Sequence, residues 1–106
     1  MKYVIYKNMN KWFIRIGDGD KTQASRIFNH LMTGDSINRF KSVDIGGGIK
    51  LPSRISEINE ALARLDESFN VSHIRIDTKH GGFYFQYFLT GEQHLQIEDA
   101  LLGVTA

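Results

Sequence analysis

Residues 51–65 read Leu-Pro-Ser-Arg-Ile-Ser-Glu-Ile-Asn-Glu-Ala-Leu-Ala-Arg-Leu, and residues 74–89 read Ile-Arg-Ile-Asp-Thr-Lys-His-Gly-Gly-Phe-Tyr-Phe-Gln-Tyr-Phe-Leu. In the first stretch Leu51, Ile55, Ile58, Leu62 and Leu65 recur at alternating steps of four and three, so a helix would gather them into one apolar stripe. Pro52 fits its first turn, where the missing N–H is not needed and the fixed φ is already helical. The second stretch is a hairpin: β-branched and aromatic residues flank a turn at Thr78-Lys79-His80-Gly81-Gly82. Neither element can bury its apolar face alone, so the rest of a core must come from elsewhere in the chain.

Upstream, residues 2–6 and 12–16 are short β-prone runs separated by Lys7-Asn8-Met9-Asn10-Lys11, a second hairpin pattern. Gly17-Asp18-Gly19-Asp20 breaks that pattern as a turn, with Asp20 read as the N-cap of a helix from about Lys21 to Thr33. Ala24, Ile27, Phe28, Leu31 and Met32 lie on one side of this helix and Gly34 stops it. Ser36 or Asp35 is placed to cap a shorter helix whose inward residues are read as Ile37, Phe40 and Val43. Ile45-Gly46-Gly47-Gly48-Ile49 then reads as a flexible turn before Pro52. Downstream of the second hairpin, Thr90-Gly91-Glu92-Gln93 offers a capping box for a last helix carrying Leu95, Ile97, Ala100, Leu101 and Val104. The expected order is β-β-α-α-α-β-β-α.

The chain has 106 residues, 42% of them hydrophobic and 24% charged, a composition suited to one small core. No run approaches the roughly 18 apolar residues of a membrane span, and the first residues lack the apolar block of a signal peptide. An intracellular protein is therefore expected. The absence of cysteine removes disulfides and thiolate metal sites and fits a reducing compartment. Net charge is +1 but unevenly spread: residues 1–80 hold all 13 Lys and Arg against nine Asp and Glu, a balance of +4, while 81–106 hold three acids and no base. The body of the chain is basic and its tail acidic.

Two motif-like stretches and the scattered histidines carry little chemistry. Asp18-Gly19-Asp20 resembles the start of a calcium loop but lacks the later ligands and the closing glutamate. Gly46-Gly47-Gly48 lacks the spacing and the preceding strand of a phosphate loop. His30, His73, His80 and His94 have no metal-ligand spacing, and no serine stands with a recognisable base. No enzyme activity, cofactor, metal or small-molecule ligand is expected.

Residues from about Gln23 to Leu89 resemble the small winged helix-turn-helix domain of phage, prophage and mobile-element proteins. The resemblance is carried by Asn29-His30-Leu31 and Gly34 in the first helix, Asp35-Ser36-Ile37, Leu51-Pro52-Ser53-Arg54-Ile55-Ser56-Glu57-Ile58, and the closing Phe85-Gln86-Tyr87-Phe88-Leu89. It implies an α+β fold, a winged helix-turn-helix with an extra N-terminal β-hairpin and a C-terminal helix. On that basis 1–106 is one domain, divided into an N-terminal hairpin over 1–19, a winged-helix core over 20–89 and a C-terminal helix over 90–106.

The resemblance implies double-stranded DNA as partner, bound by a small regulator in the cytoplasm of a bacterial host, with the third helix in the major groove. With the apolar stripe inside, a rotation of about 100° per residue turns Ser53, Ser56, Glu57, Glu60 and Arg64 outward and leaves Arg54 and Asn59 on the flanks. Arg39, Lys41, Lys50, Lys79 and His80 are then the expected backbone contacts. The alternative is a protein-binding inhibitor of a host defence system, anti-CRISPR-like, or an antirepressor, since fold does not fix the partner. Acids on the outward helix face favour that alternative, as do Tyr3, Tyr6, Trp12, Phe13, Tyr84 and Tyr87. So many aromatics are buried most economically if the two hairpins meet or the chain forms a homodimer.

Overall fold

A computed structural model describes residues 3–17 and 19–105, and for 104 and 105 only the backbone. Lys2, Asp18 and the Val104 side chain, all used in the reading above, lie outside the described residues. The architecture is α+β, with four helices and two small antiparallel sheets among the described residues.

β1 (Tyr3–Asn8) and β2 (Lys11–Ile16) pair from Tyr3↔Ile16 to Asn8↔Lys11, and β3 (Gly19–Asp20) adds a short third strand beside Ile16. The strands extend further toward their turn than expected because Met9 and Asn10 both take left-handed φ (51° and 68°), making a two-residue connection whose twist matches the strands. Alternation then sends Ile5, Trp12 and Ile14 inward, where all three are buried. On the outer face Tyr6 stacks on Phe13 at 5.4 Å and the Arg15 guanidinium lies over Tyr6 at 4.6 Å. Trp12 is thus buried within its own chain, without a second copy.

α1 (Thr22–Met32) lies against β2 and closes its free edge. Ser25 Oγ accepts from the Ile14 N–H at 2.8 Å and donates to the Lys21 carbonyl. Asn29, one turn later, accepts from the Trp12 N–H at 2.9 Å and donates to the Trp12 carbonyl at 2.6 Å. The N-cap is Lys21, not Asp20, which is taken up in β3 with its carboxylate on the Tyr6 hydroxyl (2.8 Å) and Arg15 (3.7 Å). Gly34, at φ +94°, ends the helix as expected, its N–H reaching the Leu31 carbonyl.

Ile37 precedes the second helix and forms an isolated antiparallel bridge to Tyr87, exchanging both backbone hydrogen bonds at 2.7 and 2.8 Å. α2 (Arg39–Asp44) is capped by Asn38, whose side chain accepts from Phe40 and Lys41 N–H, in place of Ser36 or Asp35. A helix of six residues buries a single position, and here it is Ser42, donating to the Gly48 carbonyl. Phe40 and Val43, expected inside, are 58% and 53% exposed.

The glycine turn is tight where flexibility was expected. A Cβ on Gly47 would sit 2.6 Å from Ile27 Cγ1 and 2.9 Å from Ser42 Oγ, and Gly46 and Gly48 both have positive φ, so only glycine lets α2 and α3 approach α1 this closely. α3 (Leu51–Ala63) follows, burying Leu51, Ile55, Ile58, Ala61 and Leu62 against α1 and β1. Leu65 lies past its end, half-buried.

β4 (Ser72–Asp77) and β5 (Phe83–Phe88) form the second sheet, and no residue of either is fully buried. Their turn closes on Thr78, whose N–H reaches the Gly82 carbonyl at 2.8 Å. α4 (Gly91–Thr105) starts with the Thr90 hydroxyl accepting from the Gln93 N–H. The reciprocal half of the expected capping box does not form: Gln93 Oε1 has no hydrogen-bond partner among the described residues, while its Nε2 donates to the Ser68 carbonyl at 3.3 Å. α4 contributes Ile97 and Leu101 to the core, whereas Leu95, read as part of that stripe, is 65% exposed.

Candidate nucleic-acid interface

α3 keeps part of the outward face expected of it. Ser53 and Ser56 are exposed, as are Glu60 and Arg64. Glu57 is not: its carboxylate turns toward α1, where Arg54 Nε lies 2.8 Å and Lys21 Nζ 3.7 Å away, and the side chain is only 13% exposed. Arg54 also donates to Gln23 Oε1 at 3.4 Å. The acid expected on the outward face is instead paired toward the fold, and the same pairing takes Arg54 out of the set of free cations. Asn59 is also spent internally, since its Oδ1 accepts from the Val71 N–H at 2.8 Å and fixes the chain on its way into β4. Arg64 is the C-cap residue of α3, about 20 Å along the helix from Lys50 at 1.5 Å rise per residue, and so stands apart from the remaining candidates.

Those remaining candidates come from three places: Arg39 and Lys41 in α2, Lys50 at the N-cap of α3, and Lys79 with His80 in the β4–β5 turn, all exposed. Ion pairs among the described residues join Arg15 to Asp20, Lys21 and Arg54 to Glu57, Arg75 to Asp77, and His94 to Glu98 if that ring is protonated. None of them involves Arg39, Lys41, Lys50 or Lys79, so all four Lys and Arg expected to contact the nucleic-acid backbone are unneutralised. Arg39 rests its guanidinium over the neighbouring Phe40 ring at 4.9 Å, which leaves its charge available.

Beside these cations the β4–β5 hairpin overhangs the start of α3. A cleft of about 340 Å³ lies between them, lined by Arg39, Ile49, Leu51 and Pro52 on one side and by Phe83 to Phe85 and Tyr87 on the other. Phe83 and Phe85 are not among the site residues expected from the sequence. The signal was present, because Phe83-Tyr84-Phe85-Gln86-Tyr87-Phe88 places aromatics on both faces of a ribbon that can bury only one.

Several other titratable groups are engaged within the scaffold. His30 Nε2 lies 2.9 Å from the Ser36 carbonyl and His94 Nε2 lies 2.7 Å from that of Met32. Burial pushes the Tyr87 phenol above its ordinary value. Burial does the same for Tyr3, helped by Glu60 and Glu57. Asp66 is held below the usual carboxylate range by the Ser68 N–H and hydroxyl. Among the described residues no cluster of His, Asp and Glu could hold a metal ion, and no helix is long and apolar enough to cross a membrane.

Set against known protein families, curated proteins and solved structures, the chain matches none of them.

Proposed function

We propose that this chain is a winged-helix-type module of the phage and mobile-element kind, acting without catalysis or cofactor as a small regulator that binds duplex DNA mainly through its phosphates. The element order supports the winged-helix reading: α1, the Ile37 bridge, α2, α3 and then a hairpin whose second strand takes that bridge. The observation that carries the function is the set of unpaired cations, Arg39, Lys41, Lys50 and Lys79, on α2, at the start of α3 and at the hairpin turn. Ser53 and Ser56 are the side chains left to read base edges. Affinity should therefore exceed sequence preference.

Titration of a labelled duplex over a salt series tests this. Four phosphates neutralised would make log affinity fall against log salt with a slope of about −3 to −4. Lys79→Glu should weaken all sequences alike, while Ser53→Ala should alter only the preference among them. Absence of duplex binding at low salt, together with a host protein retained after nuclease treatment, would reject the reading in favour of a protein-binding inhibitor or antirepressor.

A further inference from the structure

We propose that the cleft between the β4–β5 hairpin and the start of α3 accepts an unpaired nucleobase, so that the preferred ligand is a duplex carrying a single-stranded segment. This rests on the phosphate-binding reading and adds a second class of contact to it. The pairing register sets His73, Arg75 and Asp77 on the same face as Tyr87, Phe85 and Phe83. The rings form a row: Phe83 lies 5.7 Å from Phe85 and Phe85 6.4 Å from Tyr87, with His73 at 5.3 Å from Phe85 and 5.8 Å from Tyr87. The Arg75 guanidinium covers Phe83 at 4.0 Å and is held there by Asp77 at 3.0 Å.

The core does not use the outer end of this row. Phe83 is 45% and Phe85 38% exposed, and across the cleft Ile49 is 82% exposed. A phenyl ring offers nothing to a phosphate, and an intact duplex hides its base faces in the stack. A splayed base presents a π-face that aromatic side chains bind whatever the sequence. The volume falls within the about 300–1,000 Å³ of pockets that hold small ring ligands. Charge selects a nucleic acid over an apolar protein segment: Arg39 lines the cleft, Lys50 adjoins Ile49, and Lys79 stands in the turn just before Phe83, all without an ion pair. The acid on that face, Asp77, is neutralised by Arg75. Phosphates on either side of an inserted base would meet only positive charge.

Fluorescence anisotropy with a blunt duplex, the same duplex bearing a short single-stranded tail, and the single strand alone tests the proposal. The tail should tighten binding by roughly 5- to 150-fold, as expected for one stacked base. Phe83→Ala and Phe85→Ala should remove that gain and leave blunt-duplex affinity unchanged, with Trp12 fluorescence confirming that the variants fold. Lys79→Glu should weaken both ligands. Equal affinity for blunt and tailed duplex, or a gain that survives both phenylalanine substitutions, overturns the inference and leaves the duplex reading standing. Binding to the tailed or single strand but not to the blunt duplex does the reverse. No binding to any of the three overturns both, and self-association abolished by Phe85→Ala would then assign the cleft to contacts between copies.

Discussion

The chain contains two antiparallel hairpins of equal strand length, β1–β2 and β4–β5, and they are finished in opposite ways. The first sends Ile5, Trp12 and Ile14 into the core, and the free edge of β2 is closed by Ser25 and Asn29. The second sends no residue fully inside. It is anchored near its base by the Ile37–Tyr87 bridge and by Gln86, which bonds Ser36 and Asn38, while Phe83 and Phe85 stay open to solvent. Aromatic content alone therefore does not mark core. A sheet whose central ring is enclosed and whose edge is bonded serves stability, and one with large rings left exposed has side chains to spare for a ligand.

This contrast breaks most readily at Trp12. Trp12→Ala should cost about 3–5 kcal/mol in a denaturant melt, the usual loss for a buried aromatic, and an unchanged midpoint would mean that the first hairpin is no better seated than the second. Asn29→Ala should cost about 1–3 kcal/mol, because the Trp12 N–H and carbonyl both lose their partner. Hydrogen exchange at the Trp12 amide should rise with it. Phe83→Ser, in the other hairpin, should change stability by no more than about 0.5 kcal/mol. A larger loss would show that the overhanging ring is structural.

The smallest effect is expected at the junction leading into the second hairpin, where Asp66 accepts from the Ser68 N–H at 2.9 Å and its hydroxyl at 2.8 Å. These bonds depress the folded pKa, so their stabilisation is present above the carboxylate's unfolded value and lost as pH falls through the folded one. Asp66→Asn should flatten the acid limb of stability against pH by slightly lowering stability in the neutral region, and leave the acid end nearly unchanged.

The elements with strong periodicity were legible in the sequence. The Leu51–Leu62 stripe, Pro52 at the start of α3, Gly34 at the end of α1 and both hairpins follow from spacing and turn chemistry. What escaped was decided by partners distant in sequence. Glu57 reads as outward on an isolated helix and turns inward because Lys21 and Arg54 meet it there. Asn59 looks like a flank reader until the Val71 N–H needs an acceptor. Phe40 and Val43 were placed inside by a helical period that so short a helix does not sustain. Among the candidate site residues, the exposed cations were found from sequence, while the cleft beside them was not, because Ile49 and Phe85 meet only through tertiary packing.

Gly47 carries a consequence for motion. Ile27 and Ser42 fill the space that a side chain on Gly47 would need, so the connection between α2 and α3 is closely packed there. On the proposed reading, the three helices would present Arg39, Lys50 and Ser53 with little room for relative movement at this junction, part of the ordering entropy having been spent when the chain folded. The hairpin has no such wedge. On the proposed reading, adjustment on binding would fall to Lys79 and the rings behind it, and the entropic cost of association would be concentrated in that single ribbon.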